Sequence, residues 1–519
     1  MKPQTRRDFL ADVGKGMVVA SVGSALAADL GLSAAFANDG PEALSFGPLE
    51  PLVCLMQETP AARLLPMLTE RLRQGTELRQ LVAAAALANA RTFGGEDYVG
   101  FHTMMAIAPA FHMSGELPAA RRALPVLKVI YRNATRIQEH GGRRNEVLRP
   151  VEPLAPAAGR VGGEALREIT RRADMTNAER TFAALARGNA DDAFNDLLVA
   201  VQDAAEVHRV VLPYRAWDLV GVIGREQAHT LLRQSVRYCV RNEPHRYTQG
   251  MASIRTLVPR LLDQHRLLSR QRGTRTAEDR WVDEMSQTIF RSSPEAAAGA
   301  VAAALAEGFQ PDALGEAIGL AANQLVLRDQ GRPQNQASPN RPAGSVHGDS
   351  IGVHASDSAN AWRNMARVAN RRNQLVCLLL GAWQVARDRV ERGGDFLNWQ
   401  PYPTAEARER VTSREPAPLL REAEEAIRGR DQMRASAVAH RYGELGHPAR
   451  ALFDLLLRYA ISEDGALHAE KYYRTVSEEF AATRAAFRWR HLTALARVTA
   501  SAHGQPAPGY ADACRLLEV

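Results

Sequence analysis

The segment LGHPARALFDL at residues 445–455, followed by EDGALH at residues 463–468, carries the pattern that decides the fold. It comprises a turn glycine, a helix, a short acidic loop and a histidine that opens the next helix. The same order of features recurs over residues 75–102, 188–208 and 308–354. Self-similarity along a chain is the signature of a repeat architecture. The sequence therefore predicts about four divergent copies of a helical-hairpin unit.

Almost the whole chain after residue 50 has helical periodicity. Leu64, Leu65, Leu68 and Leu72 form an i, i+3, i+4 stripe of the kind that one face of a helix buries, whereas alternating β-patterns are scarce. We therefore predict an all-α protein of repeated helical hairpins. One copy cannot bury its apolar face alone, so the copies must pack together as a closed helical array or an α-solenoid. The expected copies span residues 55–150, 165–270, 290–400 and 420–510.

Glycine and proline mark the boundaries inside and between these copies. The glycine of each copy is predicted to end a helix in the left-handed conformation, in which glycine has no Cβ penalty. The longest polar insertion, residues 329–348, lies inside the third copy just before its histidine. Such a loop is either a lid or binding loop or a tolerated disordered insertion.

The N-terminal residues 1–37 have the parts of an export signal in order. Arg6 and Arg7 precede Phe9 and Leu10, a weakly apolar run follows, and the segment 35–37 is Ala-Phe-Ala. This resembles a twin-arginine (Tat) signal peptide. The resemblance implies the Tat translocase as a partner and a periplasmic or other extracytoplasmic location. It also raises the expectation of a cofactor, because the Tat route carries folded proteins, often with one inserted.

We expect residues 38–54 to be a linker and residues 55–519 to form one all-α repeat domain. The formal net charge is +7, but the arginines are interleaved with acids, so no nucleic-acid partner is predicted. No stretch after the signal is long and apolar enough to span a bilayer, so no transmembrane anchor is expected after cleavage. Of the four cysteines, Cys239 and Cys377 lie in apolar helical runs and are predicted to be buried free thiols.

An acid lies five residues before the histidine of every copy. Five helical steps rotate the chain by about 500°, which leaves the two side chains about 140° apart and not on one face. The acid is therefore predicted to end a loop or cap the helix, with the histidine in its first turns. The four pairs are Asp97 and His102, Asp203 and His208, Asp349 and His354, and Glu463 and His468.

Two interpretations of these histidines remain open. In the first they are packing residues with one satisfied nitrogen. In the second, His102, His208, His354 and His468 converge and bind Fe, Cu or Zn, while the acids orient the rings. Four equivalent residues could share one ion only in a closed array, because an open solenoid separates its copies by about 20 Å.

The third copy is the densest in candidate catalytic groups, because His347 and Asp349 precede His354. We predict His354, Asp349 and His208 as catalytic residues.

A pair of an aromatic and an arginine follows each of the last three histidines by about two turns, and the pair after His468 is Tyr473 and Arg474. Tyr214 and Arg215 follow His208, and Trp362 and Arg363 come after the third histidine. The aromatic ring of such a pair can stack on a cofactor, and the arginine can bind a negative charge on it. The candidates for cofactor binding are Tyr214, Arg215, Trp362 and Arg363. The alternative is an aromatic ring in the core with an arginine at its edge.

Three segments resemble the histidine-centred helices of the questin-oxidase-like family: FHTMMA at 101–106, VHRVVLPY at 207–214 and VHASDSA at 353–359. The resemblance implies an all-helical oxidoreductase with His102, His208 and His354 in or near its site. The named member of that family is an oxidase of an aromatic polyketide, and this substrate does not carry over.

The leading hypothesis is an exported metal- or cofactor-binding oxidoreductase with a His/Asp-lined cavity. The alternative is a non-catalytic α-helical repeat scaffold that binds a protein or peptide partner.

Overall fold

The computed structural model describes residues 43–157, 159, 161–391 and 393–519, so the expected signal peptide lies outside the described residues. Within these ranges the chain is helical, with isolated β-bridges and no strand. The predicted all-α class is confirmed. None of the helices described in these ranges is long and apolar enough to cross a membrane.

The helices are numbered in chain order. The first group is α1 Glu50–Glu58, α2 Ala61–Arg73, α3 Leu78–Phe93, α4 Tyr98–Ser114 and α5 Leu124–Glu139. The second group is α6 Gly162–Arg171, α7 Met175–Leu185, α8 Ala190–Val201, α9 Val207–Ile223, α10 Ala228–Asn242, α11 Arg246–Gly250 and α12 Ile254–Gln264. The third group is α13 Asp279–Arg291, α14 Pro294–Ala306, α15 Pro311–Arg328, α16 Ile351–Val368, α17 Arg371–Glu391 and α18 Ala405–Glu409. The fourth group is α19 Pro416–Arg428, α20 Gln432–Glu444, α21 Ala449–Ser462, α22 Ala469–Ala482, α23 Trp489–Ala502 and α24 Tyr510–Leu517.

Each copy repeats one succession of three helices. The helix after the turn glycine is α3, α8, α15 or α21, and the next helix carries the histidine at or near its start. These four histidine helices are α4, α9, α16 and α22. A third helix follows in every copy and packs against the histidine helix before it, as α5 does on α4 and α17 does on α16.

The four histidine helices close into a central bundle. Helix α4 packs on α9, α9 on α16, α16 on α22, and α22 returns to pack on α4. The last contact joins the fourth copy to the first, which an open solenoid would hold apart. Of the two packings expected from the sequence, the chain adopts the closed array.

The turn glycines behave as predicted in three copies. Gly75, Gly308 and Gly446 follow the ends of α2, α14 and α20 with φ of +97°, +86° and +74°. A side chain at these positions would be strained by the left-handed backbone even though nothing lies within 4 Å of an added Cβ. The prediction is wrong for Gly188, whose φ is not positive. The chain there turns without the left-handed residue.

The segment expected as a linker over residues 38–54 is instead part of the fold toward its end. Helix α1 begins at Glu50, and Val53 is fully buried in the core. Arg91 of α3, itself fully buried, forms an ion pair of 2.6 Å with Glu50. The sequence signal was missed because this helix is short.

The apolar residues form one continuous core that extends from Phe46 to Ala513. Cys239 and Cys377 lie inside it as buried free thiols, as predicted. Burial raises the pKa of Cys239 to about 11 and that of Cys377 to about 12, so both remain protonated at neutral pH.

Candidate functional site

The four repeat histidines meet at one end of the central bundle. His102, His208 and His354 lie in the first turns of α4, α9 and α16, and His468 is the residue directly before α22. Because the four helices pack around one axis and each carries its histidine at the N-terminal end, the side chains come together. His102, His354 and His468 are buried, and the His208 side chain is only 14% exposed.

The imidazole rings form a closed cycle of contacts. The ring centres are 4.9 Å apart for His102 and His208, and 5.8 Å apart for His208 and His354. They are 5.2 Å apart for His354 and His468, and 5.2 Å again for His468 and His102. The Nε2 atoms of His354 and His468 are separated by 3.0 Å. One histidine from each copy therefore contributes to a single cluster, which we call the four-histidine cluster.

Local hydrogen bonds hold three of the rings through Nδ1. His102 Nδ1 donates to the carbonyl oxygen of Tyr98 at 2.7 Å, and His468 Nδ1 donates to that of Ala466 at 2.9 Å. A carbonyl oxygen only accepts, so both rings carry their hydrogen on Nδ1. When these rings are neutral, Nε2 keeps its lone pair. The His468 acceptor comes from the turn Gly465–Leu467, where Ala466 has the left-handed φ of +50°.

The third ring is held by a carboxylate that the sequence analysis did not single out. His208 Nδ1 donates to Glu206 Oε1 at 2.7 Å, and Tyr238 donates to Glu206 Oε2 at 2.9 Å. Glu206 also caps α9 by accepting from the backbone N–H of Arg209. Burial favours the neutral acid, but the neighbouring His208 and these hydrogen bonds outweigh it and lower the pKa of Glu206 well below its usual range. The contact could have been predicted from the sequence, because Glu206 stands at the N-cap position two residues before His208.

Two Nε2 atoms of the cluster lack a hydrogen-bond partner among the described residues. Those of His102 and His208 are buried and accept no hydrogen bond within the described part of the chain. A buried polar atom without a protein partner costs free energy, so such an atom ordinarily binds ordered water or an ion. Burial and the nearby charge of Lys471 hold the pKa of His102 and that of His468 well below the usual value. Both rings are therefore neutral at pH 7, which is the form that ligates metals.

The spacing of the rings suits one shared ion. An ion bound through Nε2 at about 2.0–2.1 Å lies about 3 Å from each ring centre, so neighbouring rings in a tetrahedral set are about 5 Å apart. In the conformation described, however, no group of three or more His, Cys, Asp or Glu side chains has the arrangement of a metal site. Binding of one ion by all four rings would thus require the rings to rotate. The hydrogen between Nε2 of His354 and Nε2 of His468 would also have to move to Nδ1 of His354.

The acids five residues upstream do not orient these rings. Asp97 accepts from the backbone N–H of Gly100 at 2.7 Å and pairs with Arg136 at 2.6 Å. Asp203 pairs with Arg171 at 2.6 Å. The Nδ1 partners are the closer groups described above, so the predicted role in orienting the rings is wrong for these two acids. Their role in capping and loop closure follows the alternative interpretation.

The remaining two acids also bind elsewhere. The carboxylate of Asp349 pairs with Arg341 at 2.7 Å and with Arg332, which ties together the long insertion at the start of α16. Glu463 accepts from the backbone N–H of Gln505 at 2.6 Å. Because His468 Nδ1 is held by a carbonyl instead, the predicted orienting role is wrong for Glu463. Asp349 is engaged by two arginines, an arrangement that suits loop anchoring.

We predict that Asp97 stabilises the fold without affecting the cluster. Replacing Asp97 by Asn keeps a helix-capping side chain but removes the ion pair with Arg136, so we expect a loss of about 1 kcal/mol at pH 7. The bound Arg136 and Gly100 lower the pKa of Asp97 despite its partial burial. Its contribution is thus present above the unfolded value of about 3.9 and is lost as the pH falls through the folded value. Urea unfolding at pH 7 and pH 3 should show the variant and the parent converging at low pH; a constant difference would contradict the assignment.

His347, the other histidine of the dense third-copy segment, has both nitrogens occupied. Nδ1 bonds to the Ser501 hydroxyl at 2.9 Å, and Nε2 lies 2.9 Å from the Asn340 carbonyl oxygen. The bond to Ser501 joins the insertion 329–348 to α23, and the bond to Asn340 lies within the insertion. A cavity of about 30 Å³ lies between His347 and His468, with Val353 and Leu495 in its wall. Its volume suits one or two molecules the size of water.

The first aromatic–arginine pair belongs to a buried polar network. Arg215 lies over the Tyr214 ring at 4.6 Å, and the Tyr214 hydroxyl donates to Glu478 at 3.0 Å. Arg215 also donates to Thr475 at 3.4 Å, and Thr475 donates to Asp357 at 2.7 Å. Tyr214 also borders an open cavity between α9, α16 and α22. The Tyr214 hydroxyl is thus engaged by a protein group. The Arg215 guanidinium is engaged through Nη2 and through ion pairs of 3.5 Å with Asp218 and Glu478, while its Nε and Nη1 form no hydrogen bond with any described residue.

The second pair lies in the core. The Trp362 indole N–H donates to Gln384 at 2.8 Å, and the ring is only 1% exposed. Arg363 forms an ion pair with Glu479 at 2.6 Å and donates to the Ala482 carbonyl at 2.8 Å. These contacts match the alternative interpretation, an aromatic ring in the core with a paired arginine beside it.

Comparison with protein families, with curated proteins and with solved structures finds no match to this chain. The resemblance to the questin-oxidase-like family therefore stays a prediction.

Proposed function

We propose that the four-histidine cluster binds one transition-metal ion and forms the centre of an exported oxidoreductase. The observation that carries the proposal is the closed ring of His102, His208, His354 and His468. One histidine comes from each copy, and two of the buried Nε2 atoms form no hydrogen bond with any residue that the structure describes.

The donor set supports this choice of ligand. Imidazole binds Fe, Cu and Zn, whereas Mg²⁺ and Ca²⁺ prefer oxygen ligands that the cluster does not offer. The hydrogen bonds to Nδ1 of His102, His208 and His468 are those that ligating histidines ordinarily make, because they set the tautomer and the ring orientation. Iron or copper would supply a one-electron redox couple at this position.

The remaining parts of the proposal have sequence support. The twin-arginine pattern of residues 1–37 favours export in a folded state with a cofactor inserted, which suits a site buried inside a closed bundle. The resemblance to an oxidase family favours redox chemistry over hydrolysis. The cluster is buried inside the bundle, where a peptide could not reach it. Its position therefore favours a reaction at the ion over recognition of a peptide.

Metal analysis of the chain recovered from the periplasm after native export tests the proposal. We expect about one iron or copper per chain by inductively coupled plasma mass spectrometry, and loss of that metal with a lower unfolding temperature after chelation. Recovery from the periplasm checks the location in the same experiment. A folded chain that contains no metal, and whose unfolding temperature iron, copper and zinc salts leave unchanged, would contradict the proposal. It would support the non-catalytic scaffold instead.

A further inference from the structure

A cavity with an excess of positive charge lies at the start of α15 and shares no lining residue with the four-histidine cluster. Its volume is about 240 Å³, and its walls come from α15, α16, α17 and the segment before α13. Three arginines line it, namely Arg272, Arg363 and Arg367. Among the described residues of its walls, Asp312 supplies the one carboxylate.

Backbone pairing holds Arg272 at this cavity. The N–H of Arg275 donates to the Gly308 carbonyl at 2.8 Å, and the N–H of Gln310 donates to the Arg275 carbonyl at 2.9 Å. Gly273 permits this close approach, because a Cβ there would lie 2.4 Å from the Gly308 oxygen. The Arg272 side chain is exposed, and its guanidinium forms no hydrogen bond or ion pair with any described residue.

Arg363 forms a buried wall of the cavity. Only 3% of the residue is exposed, and two of its nitrogens are engaged by Glu479 and by the Ala482 carbonyl. The third nitrogen, Nε, forms no hydrogen bond within the described part of the chain. A buried N–H without a protein partner ordinarily binds ordered water or an anion.

The positive charges around the cavity are only partly neutralised. Asp312 pairs with Arg367 at 3.0 Å, and Arg371 of α17 bonds to neutral oxygens at 3.4 Å. Burial and the charge of Arg272 lower the pKa of Arg371, so these two guanidinium groups are close enough to repel each other. The N-terminus of α15, whose first two residues line the cavity, adds a partial positive charge.

We propose that this cavity binds a tetrahedral oxyanion of the phosphate type. Arginine binds such an ion through two parallel N–H groups, and Arg272 and Arg367 approach from two different walls. A phosphate group carries about 1.5–2 negative charges at pH 7, which would offset the charges of Arg272 and Arg371. The volume also leaves room for a few water molecules beside the ion.

The shared chemistry covers both free phosphate and a phosphate monoester. Arg367 also borders the larger open cavity that Tyr214 lines, so space for the organic part of a monoester adjoins the site. The site is distinct from the proposed metal centre, and its occupancy does not depend on a metal.

Isothermal titration calorimetry on the full mature chain tests this inference, with inorganic phosphate and phenyl phosphate as probes in a chloride buffer of constant ionic strength. Arg272→Gln and Arg367→Gln should each weaken phosphate binding at least about tenfold, because each removes a charged pair of N–H groups. Both side chains are exposed, so the variants should fold as the parent does. Arg272→Lys keeps the charge without the planar fork and should weaken binding less than Arg272→Gln does. Arg280→Gln changes an exposed arginine outside the cavity and should bind as the parent does.

The outcomes decide both the ligand and its place. Absence of heat and of any rise in the unfolding temperature with either probe, up to about 10 mM, overturns the inference. Equal affinity in the parent and in the variant with both Arg272→Gln and Arg367→Gln overturns it as well, because the anion then binds elsewhere. Tighter binding of phenyl phosphate supports a monoester as the ligand, and equal or weaker binding supports free phosphate.

A variant of the histidine cluster separates this site from the metal centre. The His102→Ala, His208→Ala double variant should keep the phosphate affinity of the parent whether or not the parent contains metal. Loss of phosphate binding in that variant would place the anion at the cluster and overturn the cavity as its site.

Discussion

Replacing His102 and His208 together by alanine is expected to lower the metal content from about one ion per chain to less than about 0.1. The two residues supply the Nε2 atoms for which the described part of the chain offers no hydrogen-bond partner, and loss of two imidazoles leaves too few donors for a tight site. The affinity for the added metal should fall at least about 100-fold. Metal analysis after gel filtration and a competition titration with a chromogenic chelator would measure both quantities.

Two histidines outside the cluster serve as controls. His245 is exposed at the start of α11, and His347 is held by Ser501 and Asn340. His245→Ala and His347→Asn should keep full metal content, although the second variant should lose stability. Full metal content in the His102→Ala, His208→Ala double variant would contradict the assignment of the cluster. Loss of metal in His347→Asn alone would instead move the site to the third-copy segment.

Replacing Arg363 by methionine is expected to destabilise the fold by about 3–5 kcal/mol, because it leaves Glu479 buried without its cation. The two side chains are 3% and 5% exposed and meet at 2.6 Å, with a further hydrogen bond from Asn360 to Glu479 at 3.0 Å. Burial alone would raise the pKa of Glu479, but Arg363 holds it below its usual value. Urea unfolding followed by circular dichroism would give the change in the free energy of unfolding.

A second substitution separates lost charge pairing from a cofactor role. Adding Glu479→Gln to Arg363→Met removes the unpaired charge and should restore at least half of the lost stability. The exposed pair of Arg280 and Glu284 offers a matched control, and Arg280→Met should produce no measurable change. If Arg363→Met leaves stability unaltered while the metal or cofactor content falls, Arg363 binds the cofactor and the structural assignment is wrong.

The helices and their order follow from local patterns that need no tertiary information. A stripe such as Leu64, Leu65 and Leu68 shows which face of a helix is buried, whichever element covers that face. The turn glycines Gly75 and Gly308 satisfy a local backbone requirement, so three of the four could be predicted. Helix α1 was not predicted because a short segment carries weak periodicity. Gly188 was predicted wrongly because a glycine permits a positive φ without requiring it.

Some features of the candidate site could be predicted from the sequence and others could not. The position of each histidine in the first turns of a helix follows from the repeat, and so does the capping role of Asp97. The partner of His208 proved to be Glu206 and not the acid five residues upstream, because the N-cap carboxylate is closer to the ring. The burial of Lys471 was not predicted, because a single lysine in a helix is ordinarily exposed.

By itself, the sequence determined the all-α class, the fourfold repeat and the four histidines at helix starts, since each depends on residues that are neighbours along the chain. The tertiary structure decided that the fourth copy returns to the first and that the four rings form one cycle. Closure depends on how α22 packs against α4, across more than 350 residues of chain, and periodicity shows which face of a helix is apolar but not which helix covers it. The opening unit thus ends in a histidine whose ring contacts come from the first and third copies.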